Sequence, residues 1–469
     1  MFKKLILFTH SPYLAVILLS VLFILIYSVH SINRHLNFNS HALDLGIFTQ
    51  ATYLYSQGEL PYSTFKKMVI LGDHFDPILF FISPLYKLFP SPVFLLFLQS
   101  LFTGLSIIPL YFVAKDKIKN QILSLLLVVI YATSPLLLRA VNFDFHPGTM
   151  SLLPLSLLLY SWHFKKTYLY WFSFLLCFLF KEEAAFYIFG IGVYQLFQKE
   201  FRLGVSTMFL SSLLFYLIKF VLMPFFWPSA QDGYIQTSNL PLTNPLDMLS
   251  LLISRPDILI SQMTNSSIKL ATLDETFKQF AYFPVLSPFA FVTILPFLYL
   301  RFSSNLIYLW GSEFHNNAIF LPFLLIGTVM VITRFNLSKR FSYLFLFTFF
   351  VINLISTNFM FFNVLNSLQI KSSDYNYINK SINDLPKDSP ISAQTTIAPH
   401  LANRKTIFMF PEIGNAEYVV LDSNLDSYPI SKVDLVKRIK FLENSPSYIV
   451  YKRQGSLIIF QKLASRGEK

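Results

Sequence analysis

The chain has 469 residues, 54% of them hydrophobic and only 13% charged, with 53 Phe and 14 Gly. A soluble protein of this size would carry about a quarter charged residues, so the surplus apolar surface calls for lipid rather than a larger core. The formal net charge is +12, but the cations do not point to nucleic acid. They cluster in short stretches between apolar runs, at Lys115 to Lys119, Lys165-Lys166 and Arg334 to Arg340, where positive charge sets orientation in a membrane. The one cysteine, Cys177, lies inside an apolar run. That excludes disulfides and cysteine metal sites and reads as a small buried apolar residue.

The first apolar run, Tyr13 to Val29, follows Lys3 and Lys4. It is long for a signal peptide, and His30-Ser31-Ile32-Asn33-Arg34 offers no small-residue cleavage site. It is expected to be a retained anchor with its N-terminus in the cytoplasm. A span needs about 20 apolar residues. Candidate spans follow at 11–30, 91–114, 121–138, 149–163, 168–180, 184–197, 203–223, 276–287, 288–304, 317–333 and 341–361. The stretch 77–89 reads as re-entrant or interfacial, with a twelfth span as the alternative.

Eleven crossings from an inside N-terminus put the C-terminus outside. The inside loops are then 115–120, 164–167, 198–202 and 334–340, each of them basic. Acidic residues follow the opposite rule: only Asp116 and Glu200 fall inside, whereas thirteen fall at outer loops or helix ends and ten in the tail after 370. Seven of nine histidines are also outside. An outer face rich in acids and imidazoles on a lipid-embedded base suits a reaction chamber.

Two outer segments are long. In 31–76 an amphipathic stretch at 45–57, ending in Gly58, is expected to lie along the interface. The segment 224–275 is rich in Pro, Ser and Asn. The chain thus divides into a membrane domain, 1–370, and a tail, 371–469. The tail mixes β-type runs at Thr406 to Phe410, Tyr418 to Asp422, Tyr448 to Tyr451 and Ser456 to Gln461 with a helical stretch at 432–442. Arg453-Gln454-Gly455 marks a hairpin turn between the last two strands. The expected fold class is mainly α, a polytopic membrane protein of about 11 transmembrane helices with a small extracytoplasmic α/β domain.

Candidate chemistry lies in the outer loops. Asp44, in His41-Ala42-Leu43-Asp44, is either a general base for an acceptor hydroxyl or amine or the N-cap of the following helix. Asp73, His74 and Asp76 crowd into four positions before Pro77. Asp76 is most simply a cap. Asp73 and His74 are candidates for a divalent cation or a donor phosphate. Asp144 and His146 repeat the theme before Pro147, with capping again as the alternative. Lys181-Glu182-Glu183 interrupts an apolar stretch. Ionisable groups at such depth are functional candidates, and Lys181 would neutralise a phosphate leaving group. The competing account is a tight turn whose lysine pairs with a glutamate. His315 suits a phosphate or acceptor contact, or an interfacial cap. Arg139 and Arg301 are further phosphate candidates, with lipid headgroups as the alternative. Phosphate-binding glycine loops of the Walker type and HExxH are absent, which argues against ATP-driven transport within this chain.

Taken together, LDLGIFTQ (43–50), LGDHFDPILF (71–80), FDFHP (143–147), FKEE (180–183), FHNNAIFLPFL (314–324), TIAPHLANR (396–404) and EYVVLD (417–422) resemble a bacterial family of predicted multi-spanning membrane proteins. That family is similar to the GT-C glycosyltransferases, which take a sugar from a polyprenyl-phosphate carrier and transfer it on the outer side of the membrane. The resemblance implies that Asp44 is the essential acid of the first outer loop. Many members carry paired acids there; here Leu45 follows. It also implies a lipid-linked sugar donor and an acceptor that is a glycan, lipid or protein. A divalent cation on Asp73, His74, Asp144 and His146 is a further expectation, with Lys181, Glu182, His315, Arg139 and Arg301 around the donor phosphate. Two other readings stay open: a transporter or flippase for a lipid-linked or anionic solute, and a non-catalytic envelope scaffold.

Overall fold

The computed structural model describes residues 12–227, 254–356, 361, 364–365 and 375–463. Lys3, Lys4 and the middle of the segment 224–275, expected outside the membrane, are not among those residues. The membrane part comprises α1 (Pro12–Leu36), α2 (Ile47–Ser56), α3 (Ile78–Leu88), α4 (Pro92–Leu105), α5 (Ile107–Ile118), α6 (Gln121–Ala132), α7 (Pro135–Asn142), α8 (Leu152–His163), α9 (Thr167–Cys177), α10 (Ala184–Phe197), α11 (Phe201–Leu217), α12 (Ser267–Lys278), α13 (Pro288–Phe302), α14 (Leu321–Arg334) and α15 (Lys339–Ser356).

Among the described residues, four helical stretches are long and apolar enough to cross a membrane: Tyr13–Leu36, Pro92–Ile118, Phe201–Phe226 and Ile307–Arg334. The pair α6–α7, bent by 42°, makes a fifth. Others, such as α9, α10 and α13, have 10–17 residues, so a count of eleven is not established by length. The span expected at 276–287 needs correction. The helix there is α12, which is polar, and Ala281 and Tyr282 close it in left-handed conformations (φ 53° and 59°). A 3-10 turn, Phe283–Leu286, then leads into α13.

Caps explain the breaks. Asn120 accepts from Leu123 N at the start of α6, and Ser287 accepts from Ala290 N ahead of Pro288 at the start of α13. At the far ends of α8, α10 and α14, Lys165, Lys199 and Asn336 take positive φ (56°, 62° and 46°). The backbone then closes with Lys166 N on Ser161 O (2.8 Å), Glu200 N on Gln195 O (3.0 Å) and Leu337 N on Ile332 O (3.0 Å). These are Schellman closures built without glycine. The basic loops therefore also supply cations at helix C-termini, where the helix dipole favours them.

Glycine sets two close helix crossings. A Cβ on Gly104 would lie 2.3 Å from Ile24 Cγ1, where α4 meets α1. A Cβ on Gly190 would lie 2.8 Å from Val292 O, where α10 meets α13. In lipid, small residues let backbones approach where no hydrophobic force draws helices together.

A short hairpin of β1 (Tyr62–Ser63) and β2 (Met68–Val69) follows α2. The tail holds α16 (Asn376–Asn383), β3 (Ile391–Ala393), β4 (Ile407–Met409), β5 (Tyr418–Asp422), α17 (Lys432–Asn444), β6 (Tyr448–Gln454) and β7 (Leu457–Lys462). The sheet order is β4-β3-β5-β7-β6, parallel across β4-β3-β5 and antiparallel across β5-β7-β6. Every residue of β5 is buried, as a strand covered on both faces requires. Tyr418 and Val420 face the core that contains α16, while Val419 and Leu421 face Leu435 and Ile439 of α17. Gly455 (φ 59°) makes the β6–β7 turn.

The tail is docked on the membrane part. His400 stacks on His35 (ring centroids 3.9 Å apart) and on Phe38 (4.1 Å). Asn403 donates to Pro90 O (2.7 Å) and accepts from Tyr86 Oη (2.6 Å). Gln50 of α2 donates to Lys405 O (3.1 Å). Residues Ile47 to Thr52 are all buried, so α2 is wedged beneath the tail instead of lying along a lipid interface.

Candidate functional site

The site forms where the loops after α1, α7 and α9 and the loop before α14 come together beneath the tail. Asp44 sits in a single π-helical turn, Ala42–Gly46, and α2 begins only after it, with Gly46 as N-cap. The capping account of Asp44 therefore fails. Its carboxylate makes no hydrogen bond or ion pair among the described residues. It lines a cavity of about 530 Å³ with Arg34, His41, Arg139, Asp144, Glu313, Asp426 and Tyr428. Burial pushes the Asp44 carboxyl well above the usual carboxylate range and the charge of Asp144 adds to this, against the pull of Lys66, Arg34 and Lys181.

Asp144 is held tightly. Arg34 Nη1 donates to its Oδ1 (2.5 Å) and His41 N to its Oδ2 (2.9 Å). Burial still raises its pKa, with Arg34 opposing. Its backbone has φ 100°, a sterically costly conformation for a side-chain-bearing residue. Gln99 of α4 fixes this loop from below: its Nε2 donates to Asp144 O (2.9 Å) and its Oε1 accepts from His146 N (2.7 Å).

His146 caps the next helical turn, with Nδ1 accepting from Gly148 N (3.1 Å), as the capping account expected. Its ring stacks on His315 at 4.0 Å. Burial, then the neighbouring His315 and Lys181, lower its pKa well below the usual imidazole value and keep it neutral. Lys181 pairs with Glu183 (3.2 Å), which also accepts from Arg301 (2.9 Å). Arg301 donates further to Asn316 O (2.5 Å) and is 4% exposed, so it meets no lipid headgroup. His146, Lys181, Arg301 and His315 line a small space of about 30 Å³, enough to admit water. His315 Nδ1 is buried without a partner.

Glu182 holds the other acidic loop. It takes His74 Nδ1 at 3.1 Å and Phe75 N at 3.0 Å. Burial pushes its pKa up, but the His74 charge and hydrogen bond and the Lys181 charge outweigh that and hold it below the usual value. Asp73 pairs with Lys66. Burial acts to raise Asp73, but His74, Lys66 and Lys181 bring it below the usual value. Asp76 does not cap α3; its Oδ1 is buried and unpartnered. Burial, then Glu182 and Asp73, raise its pKa well above the usual range.

The four residues expected to hold a divalent cation do not form a ligand set. Asp144 is committed to Arg34, Asp73 to Lys66, His74 to Glu182 and His146 to Gly148 N. Among the described residues, no three His, Cys, Asp or Glu side chains gather as metal ligands. Of the candidates, Asp44, Asp144 and Arg139 share the large cavity, while Lys181, Arg301, His146 and His315 share the small one. Asp73, His74 and Glu182 line neither. Arg139 is tied to Glu275 (2.6 Å) and Glu313 (3.2 Å).

Sequence reasoning missed Arg34, His41 and Gln99, and it missed Thr395, Asp426 and Tyr428 of the tail. Gln99 had a visible signal, an amide inside an apolar run. The tail residues had none, because only the docked sheet brings them over the cavity.

A family described as predicted membrane protein (DUF2079) matches this chain over residues 34–459. The chain belongs to that family. No curated protein matches this DUF2079 member. Its fold is similar to the crystal structure of ArnT from Cupriavidus metallidurans in the apo state, with TM-score 0.50 and 11% identity, over 97% of this chain and 99% of that one. The DUF2079 chain is thus a multi-pass membrane protein with a fold similar to that of ArnT.

Proposed function

We propose that this protein is a glycosyltransferase that moves a sugar from a polyprenyl-phosphate donor to an acceptor on the extracytoplasmic side of the membrane. The observation that carries the reading is Asp44. It is the unpaired carboxylate in a cavity of about 530 Å³ that also holds two arginines, Arg34 and Arg139. A free base beside fixed cations suits attack on one side of a sugar and departure of a phosphate on the other. The GT-C fold supports the same chemistry.

In this mechanism an acceptor hydroxyl or amine approaches the anomeric carbon. Asp44 takes its proton. The acceptor atom bonds to the anomeric carbon as the bond from that carbon to the phosphate oxygen breaks. The electron pair leaves on the polyprenyl phosphate, with inversion at the sugar. Arg139 and Arg34 meet the growing phosphate charge, and Lys181 adds to the field. Arg301, Glu182 and His315 act one layer out, as positioning residues around Lys181 and Glu183. The N-terminus lies in the cytoplasm and the tail outside, as the basic loops indicate.

Washed membranes holding the full chain would be charged with radiolabelled lipid-linked sugar. Asp44→Asn is expected to lower transfer by about two to four orders of magnitude while remaining folded. Native-level transfer by that variant would reject the assigned base. Asp44→Cys in a Cys177→Ala background should react with an impermeant thiol reagent from outside whole cells. Reaction only after the cells are opened would reject the sidedness.

A further inference from the structure

A second cavity of about 530 Å³ lies at the opposite end of the same helices. The near ends of α8, α10 and α14 and the far end of α13 border the space around Lys181 and Arg301. Their other ends border this second cavity, at His163, Gln198, Arg334 and Pro288. Helices of 12 to 15 residues separate the two by about 20 Å at 1.5 Å rise per residue. No step of the transfer reaction uses it.

Its rim carries Lys117, Lys165 and Arg334, against one carboxylate, Glu200. Glu200 is already engaged by Lys165 and by Trp162 Nε1 (2.8 Å). Lys117 and Arg334 make no hydrogen bond or ion pair among the described residues. The walls below the rim are apolar, with Leu159, Trp162 and Met330. At the mouth, Leu286 is 60% exposed. Cations above and hydrocarbon below match an anionic amphiphile. The C-termini of α8, α10 and α14 point here and would repel an anion. Their carbonyls are partly satisfied by the Schellman closures at Lys166, Glu200 and Leu337, which leaves the two unpaired cations as the stronger influence.

We infer that this cavity binds an anionic phosphate group, that of a phospholipid whose chain lies along Leu159 and Met330, at the face the basic loops assign to the cytoplasm. The inference is independent of the transferase reading. It is tested with the full chain in nanodiscs of phosphatidylcholine containing a small fraction of phosphatidylglycerol, with retained lipid counted by native mass spectrometry. Native protein should retain phosphatidylglycerol over phosphatidylcholine. Lys117→Gln/Arg334→Gln should retain it about thirtyfold less, at the usual strength of two cations near an anionic surface. Lys115→Gln, which removes a cation outside the cavity, should behave as native. Met330→Trp, which narrows the apolar wall where the chain would lie and keeps the cavity's charges, should also weaken retention of the lipid. Inorganic phosphate binding to native protein but not to the double variant, with no lipid retained, would support the phosphate site and assign it to a small anion. Equal retention of both probes by native protein and the double variant, or unchanged retention in Met330→Trp, would overturn the site.

Discussion

Removing Arg34 isolates the electrostatic frame of the cavity. In Arg34→Gln the buried Asp144 loses its ion pair, whose atoms lie 2.5 Å apart with side chains 17% and 1% exposed. Charge centres about 4 Å apart interact by about 4 kcal/mol at an effective dielectric of about 20. Breaking one side of a buried pair costs about 3–5 kcal/mol. His41 N still donates to Asp144 (2.9 Å), so the lower end, about 3 kcal/mol, is expected. Asp144 can recover part of this by taking up a proton, since burial already raises its pKa. Arg34→Gln/Asp144→Asn removes both charges and should cost less than Arg34→Gln alone. Cys177 supplies the assay: it is the one cysteine in the sequence and fully buried, so a thiol-reactive dye reads unfolding on heating. Arg34→Gln should melt several degrees below native protein, with the double variant in between. If Arg34→Gln melts with native protein, or the double variant falls by the sum of the two single losses, the pair does not hold this loop.

The raised pKa of Asp44 gives opposite pH signs for rate and stability. Transfer should rise with pH through that raised value, because the base must be ionised. The stabilising contribution of protonated Asp44 is complete below the unfolded carboxylate range and is lost as pH rises through the folded value. Melting profiles should show Asp44→Asn gaining on native protein at neutral pH; a variant that melts lower there would contradict the burial argument. Gly190→Val would drive a side chain into Val292 O, 2.8 Å from the Cβ position. A loss of at least about 1–3 kcal/mol is expected by the same dye assay, and an unchanged melting point would mean that α10 and α13 do not cross this closely. Asp426→Asn and Tyr428→Phe alter the tail wall of the cavity. If the tail wall contacts the acceptor, they should raise KM for the acceptor more than they lower kcat; a change confined to kcat would show that these two residues do not bind it.

The membrane character and the tail strands were legible because each rests on local pattern. Long apolar runs call for lipid, and the runs at 418–422 and 456–461 fall on β5 and β7. β3 was missed because three residues, Ile391–Ala393, carry too little pattern to signal a strand. The span at 276–287 misled because its Phe, Tyr and Pro residues are apolar yet close a helix with two left-handed residues. At the site, sequence marked the right loops but not the pairings. It placed Asp73, His74, Asp144 and His146 on one cation, whereas Lys66, Glu182, Arg34 and Gly148 N each take one of them. Those partners come from distant positions, such as Arg34 and Asp144 at 110 residues' separation, and only the fold selects them.

The same pairings explain why Asp44 stands apart. Around it other acids are engaged: Asp144 pairs with Arg34, Glu183 with Lys181 and Arg301, and Glu182 is hydrogen-bonded by His74 and Phe75 N. Asp76 is also unpaired but fully buried and lines neither cavity, whereas Asp44 is half-buried and opens onto the large one; leaving a carboxylate unpaired there costs stability. The frame also tolerates φ 100° at Asp144, held by Gln99 from below and by His41 N from the loop that carries Asp44. Strain at Asp144 and an unpaired acid at Asp44 are thus two ends of one device. The rigid arginine-bound loop keeps a negative charge near Asp44, which raises its pKa and so makes it a stronger base than an exposed aspartate. Neutralising Asp144 should therefore move the pH–rate profile of the native chain toward lower pH with Asp44 untouched. A profile that stays in place in Asp144→Asn would show that burial alone sets the basicity of Asp44.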